Sequence, residues 1–237
     1  AAWVRGRRGR RAAVEGAPAA EVVPALLARL ATPPPPFAAI PLDRPRIVGI
    51  VNTSPDSFHA DSAFADAAGA IDHGTALAAA GADIVDVGGE SSRPGARPTS
   101  EAAELARVVP VVRGLASAGI VVSVDTRRAA VMGEAITAGA RIVNDITALA
   151  GEAGALSVVA DSGVSVVLMH MQGNPDTMQD DPRYAHAPYE IYRALEARVA
   201  ACEGAGIPRE RIAVDPGIGF GKTLAHNMQI INSFALF

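Results

Sequence analysis

The chain has 237 residues, 49% of them hydrophobic and 19% charged, a globular mix at a length that suits one large domain or two small ones. A net charge of −4 gives no uniform basic field for nucleic acid and no polybasic case for an anionic membrane. Cys202 is the single cysteine, which excludes an intrachain disulfide and any cysteine-built zinc or iron–sulfur centre, and fits a reducing, cytoplasmic setting.

The chain opens with Arg5, Arg7, Arg8, Arg10 and Arg11. No apolar secretory segment follows them and no serine stands among them, so they read as a solvated tail. Val22 to Leu30 is compatible with a short helix, and Pro33 to Pro36 form a stiff polyproline segment that neither a helix nor an inner strand accommodates. Residues 1–40 are therefore assigned to a partly disordered N-terminal extension and 41–237 to the domain. No apolar run reaches the roughly 18 residues that a membrane-crossing helix needs.

From Arg46 onward two textures alternate. Short β-branched runs at Arg46 to Val51, Asp83 to Val87, Ile120 to Asp125, Arg141 to Asn144, Val164 to Met169 and Arg211 to Asp215 are too short for helices and lack strict polar alternation, which predicts six doubly buried strands. Between them lie Ala-rich stretches with helical spacing, near 63–80, 100–117, 128–138, 152–162 and 188–205; Ser100 stands where an N-cap belongs. Helices between parallel strands imply an open doubly wound sheet or a (β/α)₈ barrel. Polar residues close nearly every strand: Asn52, Asp86 with Glu90, Asp125, Asn144 with Asp145, Met169 with His170, and Asp215. A barrel brings all strand ends around one mouth, whereas an open sheet gathers them at one switch point, so the pattern favours the α/β TIM barrel, with about six of eight βα units in this chain.

The tips carry the chemistry. Asn52-Thr53-Ser54-Pro55-Asp56-Ser57-Phe58 offers an amide, hydroxyls and a carboxylate to a hard cation or to phosphate oxygens, or forms only an Asx turn. Gly88-Gly89-Glu90-Ser91-Ser92-Arg93-Pro94-Gly95 allows close backbone approach and presents hydroxyls and a guanidinium to an anion, with no Walker or GxGxxG spacing. Asp125 and Asn144 either accept from the N–H groups of a heterocycle or cap the helices that follow. Met169 can line a flat ring or fill the core, and His170, with no HxxxH or HExxH partner, gives no zinc site. In Asp215-Pro216-Gly217-Ile218-Gly219-Phe220-Gly221-Lys222, alternating glycines expose backbone around an aromatic ring, and the chain's only lysine follows.

Taken together and in this order, these strings resemble dihydropteroate synthase, over roughly residues 46–230. The resemblance implies a TIM-barrel transferase of folate and tetrahydrofolate biosynthesis. Such an enzyme condenses 6-hydroxymethyl-7,8-dihydropterin diphosphate with 4-aminobenzoate, giving 7,8-dihydropteroate and pyrophosphate, and is the target of sulfonamides. It implies that Asn52 binds Mg²⁺ and the diphosphate, with Ser92, in the place of the family's usual threonine, beside the diphosphate. Asp125, Asn144, Met169, Asp215 and Lys222 go to the pterin, and Ser92, Arg93, Pro94 and Phe220 to the aminobenzoate site. Asp125 and Asn52 are assigned to catalysis, Asp125 by stabilising positive charge on the pterin. The partners implied are small molecules, with no nucleic acid or membrane, and a homodimer.

Two departures qualify the match. His59-Ala60-Asp61-Ser62 stands where the family's first loop continues Ser-Asp-Gly-Gly, so the lid contacts are altered. The Ser-Arg-Lys and Arg-x-His strings of the seventh and eighth strands do not occur, which leads to the expectation that the chain is C-terminally truncated and inactive by itself. The alternatives are a methyltransferase domain using methyltetrahydrofolate, which would not need the Ser92–Arg93 loop, and a noncatalytic pterin-binding homologue.

Overall fold

The structure, a computed structural model, describes residues 34–53, 66–91 and 99–237. Six strands alternate with helices: β1 (Val48–Asn52), α1 (Ala67–Ala79), β2 (Ile84–Gly88), α2 (Glu101–Ser117), β3 (Val122–Asp125), α3 (Ala129–Thr137), β4 (Ile142–Asp145), α4 (Ala155–Ser162), β5 (Ser165–Met169), α5 (Ala187–Gly204), β6 (Ile212–Asp215) and α6 (Leu224–Asn232). The strands form one parallel sheet in the order β1-β2-β3-β4-β5-β6. Each strand thus lies beside its predecessor and the order never reverses, so no switch point exists of the kind that defines a doubly wound sheet. Helices neighbouring in sequence also touch, α1 on α2, α2 on α3, α3 on α4 and α5 on α6. Successive contacts of this kind require the helices to share one face of the sheet, the βα arrangement of a TIM barrel.

The strands and helices expected after Arg46 form, with ends shifted by one to a few residues in either direction. Helix starts are set by side-chain caps: Asp66 Oδ1 accepts from Gly69 N at 2.7 Å and Ser100 Oγ from Ala103 N at 3.3 Å, and Thr223 with His226 closes a capping box at α6. After α6 the chain passes into a 3₁₀ turn at Phe234–Leu236. The proposed helix at 22–30 lies outside the described residues.

Strand parity divides the residues. Val85, Val87, Val122, Val124, Val143, Val166 and Leu168 face the helices and are fully buried with Val108, Val111, Leu115, Val131 and Met132 in one core; each such side chain contributes about 1.5–3 kcal/mol by leaving water. The opposite parity holds Asn52, Asp86, Ser123, Asp125, Asn144, Met169 and Asp215, as the register pairs Gly88↔Asp125, Asp125↔Asn144 and Met169↔Asp215 show. One expectation fails here. β1 is buried on one face only: Val51 is fully buried, but Val48 and Ile50 are 48% and 57% exposed. β1 ends the strand order, and among the described residues no strand lies opposite its inner face.

At the other end of the strands, Asp83 accepts from Ile47 N at 2.9 Å, Arg44 Nη1 at 3.0 Å and Arg46 Nη1 at 3.0 Å, and these donors hold its carboxyl at about 2. Ionic staples at the N-terminal ends of barrel strands serve stability rather than chemistry. Two mid-helix glycines set the α1–α2 distance: a Cβ on Gly114 would lie 2.4 Å from Ile71 Cδ1, and one on Gly74 2.8 Å from Leu115 Cδ2. Gly114→Ala gains about 1 kcal/mol of helix propensity but loses roughly 1–3 kcal/mol by overpacking. A lower melting temperature, by a few degrees, is therefore expected in a calorimetric scan.

Candidate active site

Asn52, Asp125, Asn144 with Asp145, Met169 and Asp215 stand at the C-terminal ends of their strands, Glu90 just beyond β2, and Asp86 in the interior of β2. Asn52 and Asp125 lean together over Gly88: a Cβ there would lie 3.6 Å from Asn52 Oδ1 and 3.5 Å from Asp125 Oδ2. Glycine at 88 keeps this gap open, since anything larger would fill it. Asp125 and Asn144 are adjacent partners on β3 and β4, and Asp215 closes the row on β6 beside Met169 of β5. Asp215 Oδ1 accepts from Gly217 N at 2.7 Å, which holds the carboxylate at the start of its loop.

Asp125 is electrostatically exposed to like charge. Burial pushes its carboxyl well above the usual range, and the neighbouring carboxylates of Asp86, Asp145, Glu104 and Glu90 push the same way. A buried acceptor group with this surplus of negative charge favours a ligand bearing N–H donors or developing positive charge. The ambiguity between ligand contact and helix cap at the fourth strand is also resolved. Asp145 does not cap α4, whose N-cap is Gly154; it holds the turn after β4, accepting from Thr147 N, Thr147 Oγ1 and Leu149 N at 2.7–2.9 Å, while Asn144, of opposite parity, turns inward. After β3 Thr126 Oγ1 accepts from Arg128 N at 3.2 Å and Glu152 Oε2 from Ala129 N, the first residue of α3, at 2.9 Å, and Asp125 takes no part in this helix start.

The loops after β5 and β6 are locked together by close backbone approach. Gly217 (φ +67°) and Gly221 (φ +59°) both require left-handed backbone, and Cβ atoms there would lie 2.1 Å from His170 O and 2.7 Å from Gln172 O. Gln179 Nε2 donates to Gly219 O and Tyr184 Oη to Gly221 O. These glycines therefore serve loop packing rather than a phosphate cradle. Lys222 belongs to the same lock. Its ammonium, 3% exposed, donates to Phe220 O at 2.7 Å and His170 O at 3.1 Å and meets His170 Nδ1 at 3.3 Å. Three acceptors surround it, so in this geometry Lys222 fastens the two loops together. Burial lowers its pKa to about 8, and burial with the nearby ammonium lowers His170 to about 4, leaving a neutral ring that accepts at Nδ1.

Ser92, Arg93 and Pro94 lie outside the described residues. The stems of their loop do not: Glu90 accepts from Thr99 N at 3.2 Å, from Arg127 Nε at 3.1 Å and from Arg128 Nη2 at 3.0 Å. Arg128 also donates to Thr99 O at 2.6 Å and pairs with Glu104, which accepts from Thr126 Oγ1 at 2.6 Å. This paired network between β2, α2 and β3 was not expected from spacing. Its one local sign was Glu104, a charge on the inward stripe of an amphipathic helix. Among the described residues no cluster of three His, Cys, Asp or Glu side chains is arranged to hold a metal ion.

Asp125→Asn is expected to raise the melting temperature at neutral pH by a few degrees while removing activity. The folded-state pKa lies above the ordinary carboxyl value of 3.8, so the acid form's stability is complete below that value and lost as pH rises through the raised one. Calorimetry against pH should therefore show the advantage of the amide disappearing towards acid. Lys222→Met is expected to speed amide hydrogen exchange in both loops, at Gln172 and Gly221.

Comparisons with known proteins agree with this geometry. The family model for pterin binding enzymes matches residues 48–237. The chain is 44% identical over 200 residues to the dihydropteroate synthase of Escherichia coli strain K12, covering 84% of this chain and 71% of that protein. It superposes on a Yersinia pestis dihydropteroate synthase solved with a sulfonamide drug (TM-score 0.79, 44% identity, 82% of this chain and 71% of that one). It likewise superposes on the Xanthomonas albilineans enzyme solved with 4-aminobenzoic acid (TM-score 0.77, 44% identity, 86% and 73%). With its strand tips, site parity and sequence all in agreement, the chain belongs to the pterin-binding enzyme family, on its dihydropteroate synthase branch.

Proposed function

We propose that the chain acts as a dihydropteroate synthase, joining 6-hydroxymethyl-7,8-dihydropterin diphosphate to 4-aminobenzoate with release of pyrophosphate. The observation that carries this reading is the row Asp125–Asn144–Asp215, with Asp125 half-buried beside other carboxylates. Such a row suits the N–H-rich edge of a pterin, and Met169, 5% exposed on the same parity, suits its flat face.

The reaction needs bond exchange at one carbon. The methylene–oxygen bond to the diphosphate breaks, the arylamine nitrogen bonds to the methylene, and the amine gives up a proton. Positive charge grows on the pterin as the leaving group departs, and Asp125, already crowded by negative charge, stabilises it more than the ground state. The amine is neutral near pH 7 and needs no strong base. Phe220, at the tip of the β6 loop, is assigned with Arg93, Pro94 and Ser92 to the aminobenzoate. Asn52, whose amide oxygen stands at the mouth beside Gly88, would hold a magnesium ion together with the diphosphate, and that ion would supply neutralisation of leaving-group charge. By family resemblance the reading extends to a cytoplasmic homodimer, and no described helix is long and apolar enough to cross a membrane.

Titration calorimetry and a coupled pyrophosphate assay test the reading. Aminobenzoate is expected to bind only with pterin and pyrophosphate present, and Asp125→Ala or Asp215→Ala to lose product formation, with pterin binding weaker by about 10- to 100-fold. Binding of methyltetrahydrofolate with no pyrophosphate release, or normal turnover in both variants, would overturn it.

A further inference from the structure

The steps above leave one buried inner-face group without a task. Asp86 lies on β2 two residues before Gly88, paired in register with Ile50 of β1 and Ser123 of β3, and is 7% exposed. Its Oδ2 accepts from Asn144 Nδ2 at 3.0 Å, reaching past β3 to β4. Its Oδ1 is buried with no hydrogen-bond partner. Burial raises its carboxyl pKa, opposed by the Ser123 hydroxyl and the Asn144 amide. A half-satisfied carboxylate in a strand interior is costly, and a well-packed apolar side chain would be cheaper there. That cost calls for a reason.

The reason lies in what an amide can present. Asparagine offers both a donor and an acceptor, and the two are interchanged by a half-turn of its terminal torsion. An ionised carboxylate only accepts, so Asp86 draws the NH₂ of Asn144 towards itself and turns Oδ1 away. We propose that Asp86 is a positioning residue for the pterin: by accepting from Asn144 Nδ2, it locks the amide in the orientation that offers Oδ1 to a ring N–H of the ligand. The row then reads acceptor, acceptor, acceptor along Asp125, Asn144 and Asp215, matched to a donor-rich edge. This inference rests on the reading of Asn144 as a pterin contact.

A double-mutant cycle on pterin affinity separates the two. Asn144→Ala and Asp86→Leu are each expected to weaken pterin binding by about tenfold or more in titration calorimetry, and the double variant to bind no more weakly than Asn144→Ala alone. Asp86→Asn, whose amide oxygen still accepts from Nδ2, is expected to stay within about threefold of the unmodified protein. A melting temperature unchanged or raised in Asp86→Leu distinguishes positioning from a structural role. Should that variant fail to fold, side-chain exchange of the unmodified protein decides: one Nδ2 proton of Asn144, assigned by its loss in Asn144→Ala, is expected to exchange slowly. Additive losses, unchanged affinity in Asp86→Leu or fast Nδ2 exchange would overturn the inference while leaving the pterin reading intact. Unchanged affinity in Asn144→Ala would overturn both.

Discussion

Burial of one face of a single parallel sheet beneath all of its helices is the constraint on which the rest of this chain depends. Because side chains alternate along a strand, valines and leucines of one parity are pressed against the helices, and every residue of the other parity is turned to the opposite face. At the N-terminal ends that face carries Val48, Ile84 and Ile142, and at the C-terminal ends Asn52, Asp125, Asn144 and Asp215. Polar groups distributed over six separate strands thereby become one surface, without any of them being near another in sequence.

The surface carries unbalanced charge by construction. Arg127 and Arg128 are taken up by Glu90 and Glu104, and Lys222 is taken up by carbonyls and His170. Asp125 is left with burial and the repulsion of neighbouring carboxylates, and Asp86 with burial that the Ser123 hydroxyl and the Asn144 amide only partly offset. Both conditions oppose folding at neutral pH, and both favour a donor-rich ligand that acquires positive charge. Stability given up in the free protein is in this way available as binding and transition-state stabilisation.

Precision of the surface depends on the loops around it. Two positions where only hydrogen fits, Gly217 and Gly221, bring the β6 loop onto the backbone of the β5 loop, and one ammonium ties carbonyls from both. Arg128 performs the corresponding task on the opposite side of the mouth, fastening Thr99 and Glu90 at the two stems of one loop. Cations here hold the frame, and the acceptors facing the interior of the mouth are left for the ligand.

Period and composition suffice to read the order of the elements, because alternation of β-branched runs with Ala-rich helical stretches is local. The ring of polar tips was equally legible, since each tip follows its own strand directly. Side-chain direction was not. Asn144 and Asp145 are neighbours with equal claims on a ligand, and only the register of β4 sends one inward and leaves the other to hold the turn after the strand. Lys222 reads from sequence as a ligand group, and only the packing of two loops shows that it ties a carbonyl of each to the other. The pairing of Asp86 with Asn144 joins residues 58 positions apart, a distance at which no local pattern carries information. Sequence by itself determined the fold class, the family and the strand ends on which chemistry stands; the tertiary structure decided which polar groups face the ligand and which hold the others in place, because that division depends on contacts between strands and loops remote from one another in the chain.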